Sequence, residues 1–475
     1  MTLNLSTPIL WVLLPLGAAL IALAVLRRRT FTILLTSITA FALSILARFF
    51  PESLVIAFGP LTVSFSESLG FLGREISLRY EILPFISMIY FINGLWTLTS
   101  GIGKTPRIFP ATSLAITALV TAALGVTPFL YAALLIETAV LVSIPMLSPL
   151  GQPPRPGVLR YLTLQTLAVP FILLAGWLLS GVEALPPESP LILQSAIILG
   201  IGIALWLSIF PFHSWMPMVD EHSNPMVTSF LQFMIPSVVI LFSLNFLNRY
   251  TFLRESPGLY QILQTCGVIM IALGGGWTAF QKNLKRAFGF SCLTETGFSL
   301  LAIGLANEGG LTWLMILLPA RAMSYWLWGF ILALVEQHAG SADLEHLEGF
   351  ARRYPLLAIG LLLAQLSVAG MPLLTEFPTK ITLLTAALRS SPALGAWGLI
   401  GTLGLFLFTL RLLMHMVRPE TEGEPNPWRV NESFLEYIPV LAVVVILILT
   451  GLFPNAFLTN ITQTLTAFSQ LNPFN

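Results

Sequence analysis

Charge is what this sequence has least of. Only 9% of its 475 residues are Asp, Glu, Lys or Arg, and the net charge is +1, whereas a soluble domain carries about 25% charged residues. That scarcity excludes a soluble enzyme, and the even balance of signs excludes a nucleic-acid surface. Cysteine is nearly absent too. Cys266 and Cys292 alone make neither a disulfide framework nor a metal cluster. No GxGxxG, P-loop, CxxC or haem-attachment pattern occurs, so no nucleotide, iron–sulfur, haem or metal site is expected in the chain itself. No positive segment precedes the first apolar run near Pro8, and no small-residue cleavage site stands out. That run is expected to remain as a membrane helix and not to be removed as a signal.

What is there is hydrophobic: 56% of the residues, with a mean hydropathy of +0.85. Fourteen apolar runs recur, at 8–26, 31–47, 81–100, 108–126, 128–147, 159–181, 190–211, 225–247, 259–280, 287–305, 310–336, 354–388, 395–417 and 435–457. A helix of about 20 residues crosses hydrocarbon, and a spanning segment must satisfy its own backbone. The expected fold class is therefore an all-α polytopic membrane protein of about fourteen spans. Residues 50–80 are the exception, where SLVIAFGPLTVSF and the alternation after it read as a short extramembrane hairpin. Loops after odd-numbered spans hold fourteen lysines and arginines, from Arg27 to Arg429, against six after even-numbered spans. The positive-inside bias then puts the odd loops in the cytoplasm and both termini on the periplasmic or lumenal side.

Two spans are interrupted at equivalent points. Span 7 runs into Pro211 and Pro217 in SIFPFHSWMP, and span 12 into Pro372 and Pro378 in AGMPLLTEFP. Proline removes a backbone donor and breaks a helix. Paired breaks point to inverted repeats with sites at the breaks.

Against this apolar background the few charges inside spans stand out. The chain has four lysines, and only Lys380 falls within an apolar span. A charge at membrane depth costs roughly 2.5–3.5 kcal/mol on insertion scales, which marks it as a functional candidate. Glu376 precedes it by four residues, the spacing of an ion pair on one helix face if the helix is continuous there. Glu137, mid-span in YAALLIETAVLVSIPML, is expected to be neutral or paired, because burial disfavours a lone carboxylate. Glu295 and Arg321 lie in adjacent spans and are expected to neutralise each other. His213, at the first break, is a further proton-relay candidate. Asp220, Glu221 and His222 read as a solvated loop.

Four segments resemble a known family, the antiporter-like membrane subunits of complex I (NAD(P)H:quinone oxidoreductase), group 4 membrane hydrogenases and Mrp-type cation/proton antiporters. IETAVLVSIPML resembles the family's fifth-helix segment with its buried glutamate, here Glu137. FPFHSWMPMVDEHSNP resembles its histidine-containing stretch at Pro211, His213, Trp215, Pro217 and Pro225. NLKRAFGFSCLTETGFSLLAIG matches at Leu284, Lys285, Arg286, Ser291 and Gly297, and LSVAGMPLLTEFPTK at Leu366, Ser367, Gly370, Pro372, Phe377 and Lys380. The resemblance implies two inverted five-helix repeats, spans 4–8 and 9–13. The implied division is 1–107 (spans 1–3 with the hairpin), 108–250 (first repeat), 251–418 (second repeat) and 419–475 (loop and span 14).

The departures are specific. The family's lysine seven residues before the histidine is here Trp206, and the proline after it is Ser208. The eighth span offers Gln232, Pro236 and Val238 where a lysine or histidine is expected. The glycine before Phe377 is Glu376, and the polar pair near Gly297 is Thr294 and Glu295. The resemblance implies a non-redox, proton-pumping subunit of a complex I-like assembly, with Glu137, His213, Glu295, Arg321, Glu376 and Lys380 as relay stations. It implies other membrane-arm subunits and the lipid bilayer as partners, and protons or sodium as the transported ion. It leaves iron–sulfur clusters and quinone to the rest of the complex, with no cofactor in this chain. The bacterial inner membrane or the thylakoid is the implied location. Two other readings stay open: a subunit of an Mrp-type Na+/H+ antiporter, and a structural membrane-arm paralogue with a degenerate proton path.

Overall fold

Hydrocarbon offers no water to a backbone N–H or C=O, so each span must close its hydrogen bonds within itself. The computed structural model describes residues 2–50, 55–58, 61–71, 73–148, 151, 153–179, 190–419, 430–454 and 461–471; Arg429, counted above among the loop charges, lies outside them. A π-turn at Ile9–Leu13 leads into α1 (Leu14–Ala24), followed by α2 (Arg29–Phe49) and α3 (Leu83–Thr99). The first repeat contains α4 (Phe109–Gly125), α5 (Ala132–Leu147), α6 (Pro156–Leu179) and a broken span, α7 (Pro190–Trp206) with α8 (Trp215–His222); α9 (Pro225–Arg249) closes it. A short turn, α10 (Thr251–Arg254), leads to α11 (Pro257–Phe280), α12 (Leu284–Gly304) and α13 (Gly310–Ala339). After a second short turn, α14 (Phe350–Arg353), comes the other broken span, α15 (Pro355–Val368) with α16 (Phe377–Ser390), then α17 (Pro392–Val417) and α18 (Phe434–Leu452). The fourteen spans and both breaks are present. Nine helices among the described residues are individually long and apolar enough to cross a membrane.

The exposed outer surface is apolar, with Leu20, Ile38, Trp177, Phe280 and Leu403 among the large side chains facing outward. In water such a belt would be a liability; in lipid it is the solvated face. The inner helices α9, α12 and α13 are buried almost all round. The loops after odd-numbered spans meet on one side. Gln337 donates to the carbonyl of Ile102 at 3.0 Å, Asn283 to Asp343 at 2.8 Å, and the Gly349 N–H to the Arg418 carbonyl at 2.8 Å.

The expected hairpin is part of something larger. β1 (Thr2–Ser6) pairs in parallel with β3 (Leu61–Ser66), which pairs antiparallel with β2 (Val55–Phe58). A second sheet joins β4 (Ser68–Phe71), β5 (Arg74–Ser77) and β6 (Val126–Thr127). Strands as short as β1 and β6 leave no legible alternation, so sequence pattern could not place them.

The second repeat is drawn together by glycine. A Cβ on Gly401 of α17 would strike the carbonyl of Ile271 in α11, and one on Gly404 would strike Gly275. One turn before Ile271 on α11, a Cβ at Gly267 would sit 2.7 Å from the carbonyl of Gly297 in α12. Small residues allow such backbone approach, which is how helices associate where lipid removes the hydrophobic drive. Gly401→Val should therefore pry α11 from α17, at about 1–3 kcal/mol for overpacking. The check is thermal unfolding of the purified membrane complex, where an unchanged midpoint would contradict this account.

Candidate functional site

Each broken span ends in the same way. In α15 the N–H of Met371 bonds to the Leu366 carbonyl five residues back, and that of Gly370 to Ser367, with Gly370 left-handed at φ 72°. In α7 the N–H of Ile209 bonds to the Ala204 carbonyl, again five residues back, with Ser208 left-handed at φ 56°. This is a helix terminator in which glycine is the favoured residue. Serine holds the position at a cost of about 1–2 kcal/mol. A further left-handed residue, Leu373 at φ 74°, lies inside the second break. Non-glycine residues held there tend to mark functional sites.

The second break organises a buried charge cluster. Lys380 sits in the first turn of α16. Its ammonium contacts the Glu295 carboxylate and the Val368 carbonyl, and lies 2.6 Å from Glu376. The Val368 carbonyl is one of the orphan acceptors at the end of α15, the negative end of that half-helix. Glu376 is the N-cap residue of α16, at a positive end. Both charges thus sit where the local backbone favours them. From α12, Glu295 reaches Arg321 of α13 at 3.1 Å. The guanidinium also donates to the Glu295 carbonyl at 2.6 Å and to Ser299 at 2.8 Å. Ser324 donates to Ser367 at 2.9 Å, and the Phe298 ring lies 5.0 Å beneath the Lys380 ammonium. Glu295 and Glu376 are fully buried, and Arg321 and Lys380 are 2% exposed. Two carboxylates and two cations therefore neutralise one another out of reach of solvent. Chemically, the arrangement can pass a proton between carboxylates through a lysine while keeping its total charge small.

The first repeat is built differently. Trp206 is buried at the end of α7, and its indole N–H donates to the Gln165 carbonyl of α6 at 3.1 Å. Gln165 returns a bond to the Trp206 carbonyl, also 3.1 Å. A neutral amide thus serves the helix end that an ammonium serves in the second repeat, and Phe242 packs edge-on against the indole. Glu137 is half-buried on α5 and accepts from Thr166 of α6 at 2.7 Å, with Thr166 on the outer face. His213, half-buried in the 3-10 turn at Phe212–Ser214, stacks on Phe210.

The structure brings Glu295, Arg321, Glu376 and Lys380 together and keeps Glu137 and His213 apart from them. The Glu295–Arg321 pair is present, and so is the Glu376–Lys380 pair, because α16 begins at the residue after Glu376. One expectation is overturned. Asp220, Glu221 and His222 are not a solvated loop but the last residues of α8, with Asp220 only 1% exposed. Pro217 starts no new break, because it lies in the first turn of α8, where its missing N–H is not needed. Ser299, Ser324 and the Val368 carbonyl were not legible in advance. A serine four residues after a buried glutamate was the only signal. Arg321→Met leaves two carboxylates to share Lys380 and should cost about 3–5 kcal/mol. Combined with Glu295→Gln, it should cost clearly less than the sum of the two single changes. Additive losses in thermal unfolding of the complex would show that the pair is not coupled.

Comparison with known proteins places this geometry. Residues 177–407 match the family described as NADH:quinone oxidoreductase/Mrp antiporter, TM. NADH-quinone oxidoreductase subunit N 1 of Herpetosiphon aurantiacus is 27% identical over 274 residues, 57% of this chain and 55% of that protein. Subunit N of Psychrobacter arcticus is 28% identical over 280 residues, 57% of this chain and 56% of that protein. The chain thus spans about half the length of the curated relatives it matches. A chain in the Mrp complex of Dietzia sp. superposes with a TM-score of 0.79, covering 98% of each chain at 17% identity, which is a likeness of fold. Over residues 177–407 the chain is similar to the family of membrane subunits described as NADH:quinone oxidoreductase/Mrp antiporter, TM.

Proposed function

We propose that this chain is a proton-translocating membrane subunit of a complex I-like assembly, driven by redox chemistry in other subunits. The observation that carries the reading is the closed, buried cluster of Glu295, Arg321, Glu376 and Lys380 at a broken span. Ion pairs at membrane depth are costly and mark ion pathways. The break gives the lysine two anionic partners and a helix end between which its proton affinity can be switched. Glu137, half-buried and hydrogen-bonded to Thr166 of the outer face, is placed to exchange charge with a neighbouring membrane-arm subunit. His213 lies at the rim of the first break. The proposed setting is the bacterial inner membrane or the thylakoid, with both termini on the periplasmic or lumenal side. No redox group is assigned to this chain.

The Trp206–Gln165 lock supports a second reading, a structural subunit that seals the membrane arm. Proton flux per turnover of the reconstituted parent complex separates the two. Under the proposal, Lys380→Ala and Glu295→Gln each lower the flux at least several-fold in this subunit's share while electron transfer continues. Full pumping in both variants would leave only the structural role.

A further inference from the structure

Asp220 has no part in the cluster, yet it is a carboxylate buried to 1% exposure. Its Oδ2 accepts from Gln232 of α9 at 3.3 Å, and its Oδ1 is buried without a hydrogen-bond partner. The same Oδ2 lies against α12 at Gly289, where an added Cβ would come within 2.6 Å of it. Gly289, Cys292 and Glu295 recur at intervals of three along α12, so each neighbours the next while the direction turns by about 60° per step. Six residues at 1.5 Å each put Glu295 about 9 Å further along the helix. Between them, Cys292 is within electrostatic reach of both Asp220 and Glu295, and its side chain meets that of Tyr325 on α13.

The other direction leads outward. Lys285, within electrostatic reach of Asp220, pairs with the one-third-exposed Glu336 at 2.8 Å. The residue after Asp220, Glu221, pairs with partly exposed Arg286 at 3.6 Å. These groups lie at the end of α8, α12 and α13 where the odd-numbered, lysine- and arginine-rich loops gather. His222, at the end of α8, binds the Met218 carbonyl at 2.9 Å and faces away from this route.

We propose that Asp220 is the loading station for the buried cluster: it takes a proton from the lysine- and arginine-rich face and passes it along α12 to Glu295. The proposal rests on the proton-translocating reading. In the step, a proton from solvent adds to an Asp220 oxygen. It then leaves to the Glu295 carboxylate by way of the Cys292–Tyr325 side chains, and Asp220 returns to its anionic form. No electron moves. The step also accounts for the asymmetry of the chain. With Trp206 in place of the first repeat's lysine, a proton reaches the second repeat from the lysine- and arginine-rich face by way of α8, without crossing the Trp206–Gln165 lock.

The test uses the intact parent complex in proteoliposomes, measuring proton flux per turnover. Asp220→Asn preserves the shape and an acceptor for Gln232 but cannot carry a proton. It is expected to lower the flux as far as Lys380→Ala does, with turnover retained, and Asp220→Glu is expected to restore at least half. If Lys380→Ala lowers the flux and Asp220→Asn does not, the loading role is overturned and the pumping reading stands. If neither lowers it, the pumping reading falls and the loading role with it. Should the Asp220 variants fail to assemble, Cys292→Ala with Tyr325→Phe leaves Asp220 native and interrupts its connection. Undiminished flux in that variant overturns the proposal, and a loss comparable to Lys380→Ala upholds it.

Discussion

The contact on which the second repeat turns is that of one ammonium with the end of a broken helix. Lys380 meets the Val368 carbonyl, an acceptor that an unbroken helix would have used internally, and at the same time meets Glu295 and Glu376. An unpaired lysine in this interior would be costly to hold. Here the cost is offset three times over, by a helix terminus, a carboxylate from the same span and a carboxylate from α12. Arg321 then holds that second carboxylate from behind, through both its side chain and its carbonyl. Remove the break, and neither the free carbonyl nor the N-terminal position of Glu376 exists.

The two repeats show the same backbone device put to different uses. Both broken spans end in a left-handed residue followed by a proline, Ser208 before Pro211 and Gly370 before Pro372. In the second repeat the exposed helix end receives a cation. In the first it receives the neutral amide of Gln165, and an indole fills the space where a lysine would reach. A hydrogen-bonded, edge-packed tryptophan is a rigid apolar plug and has no proton to exchange. Repeat symmetry therefore governs the backbone while the chemistry has become one-sided, and Asp220 in α8 is the buried carboxylate that faces across from the first repeat to the second.

Much of this was legible in local pattern. Fourteen apolar runs, two proline breaks and a few charges inside spans could be read directly, because span length and hydropathy are properties of neighbouring residues. Pairings at short range were legible too, Glu376 with Lys380 being four residues apart. The solvated-loop reading of Asp220-Glu221-His222 failed for an instructive reason. Three polar residues between apolar runs look like a loop, and nothing local shows that α12 presents a bare glycine, Gly289, against which a carboxylate can be buried.

By itself, the sequence determined that this is a many-spanned membrane bundle with two interrupted helices and very few charges to place. Only the tertiary structure decided which of those charges meet. Lys380 and Glu295 are 85 residues apart in the chain. They touch because glycine-lined faces let α11 lie against both α12 and α17, and because the break in span 12 turns α16 inward. Contact between distant charges depends on how closely backbones can approach. That distance is fixed by packing across helices, which no single helix records.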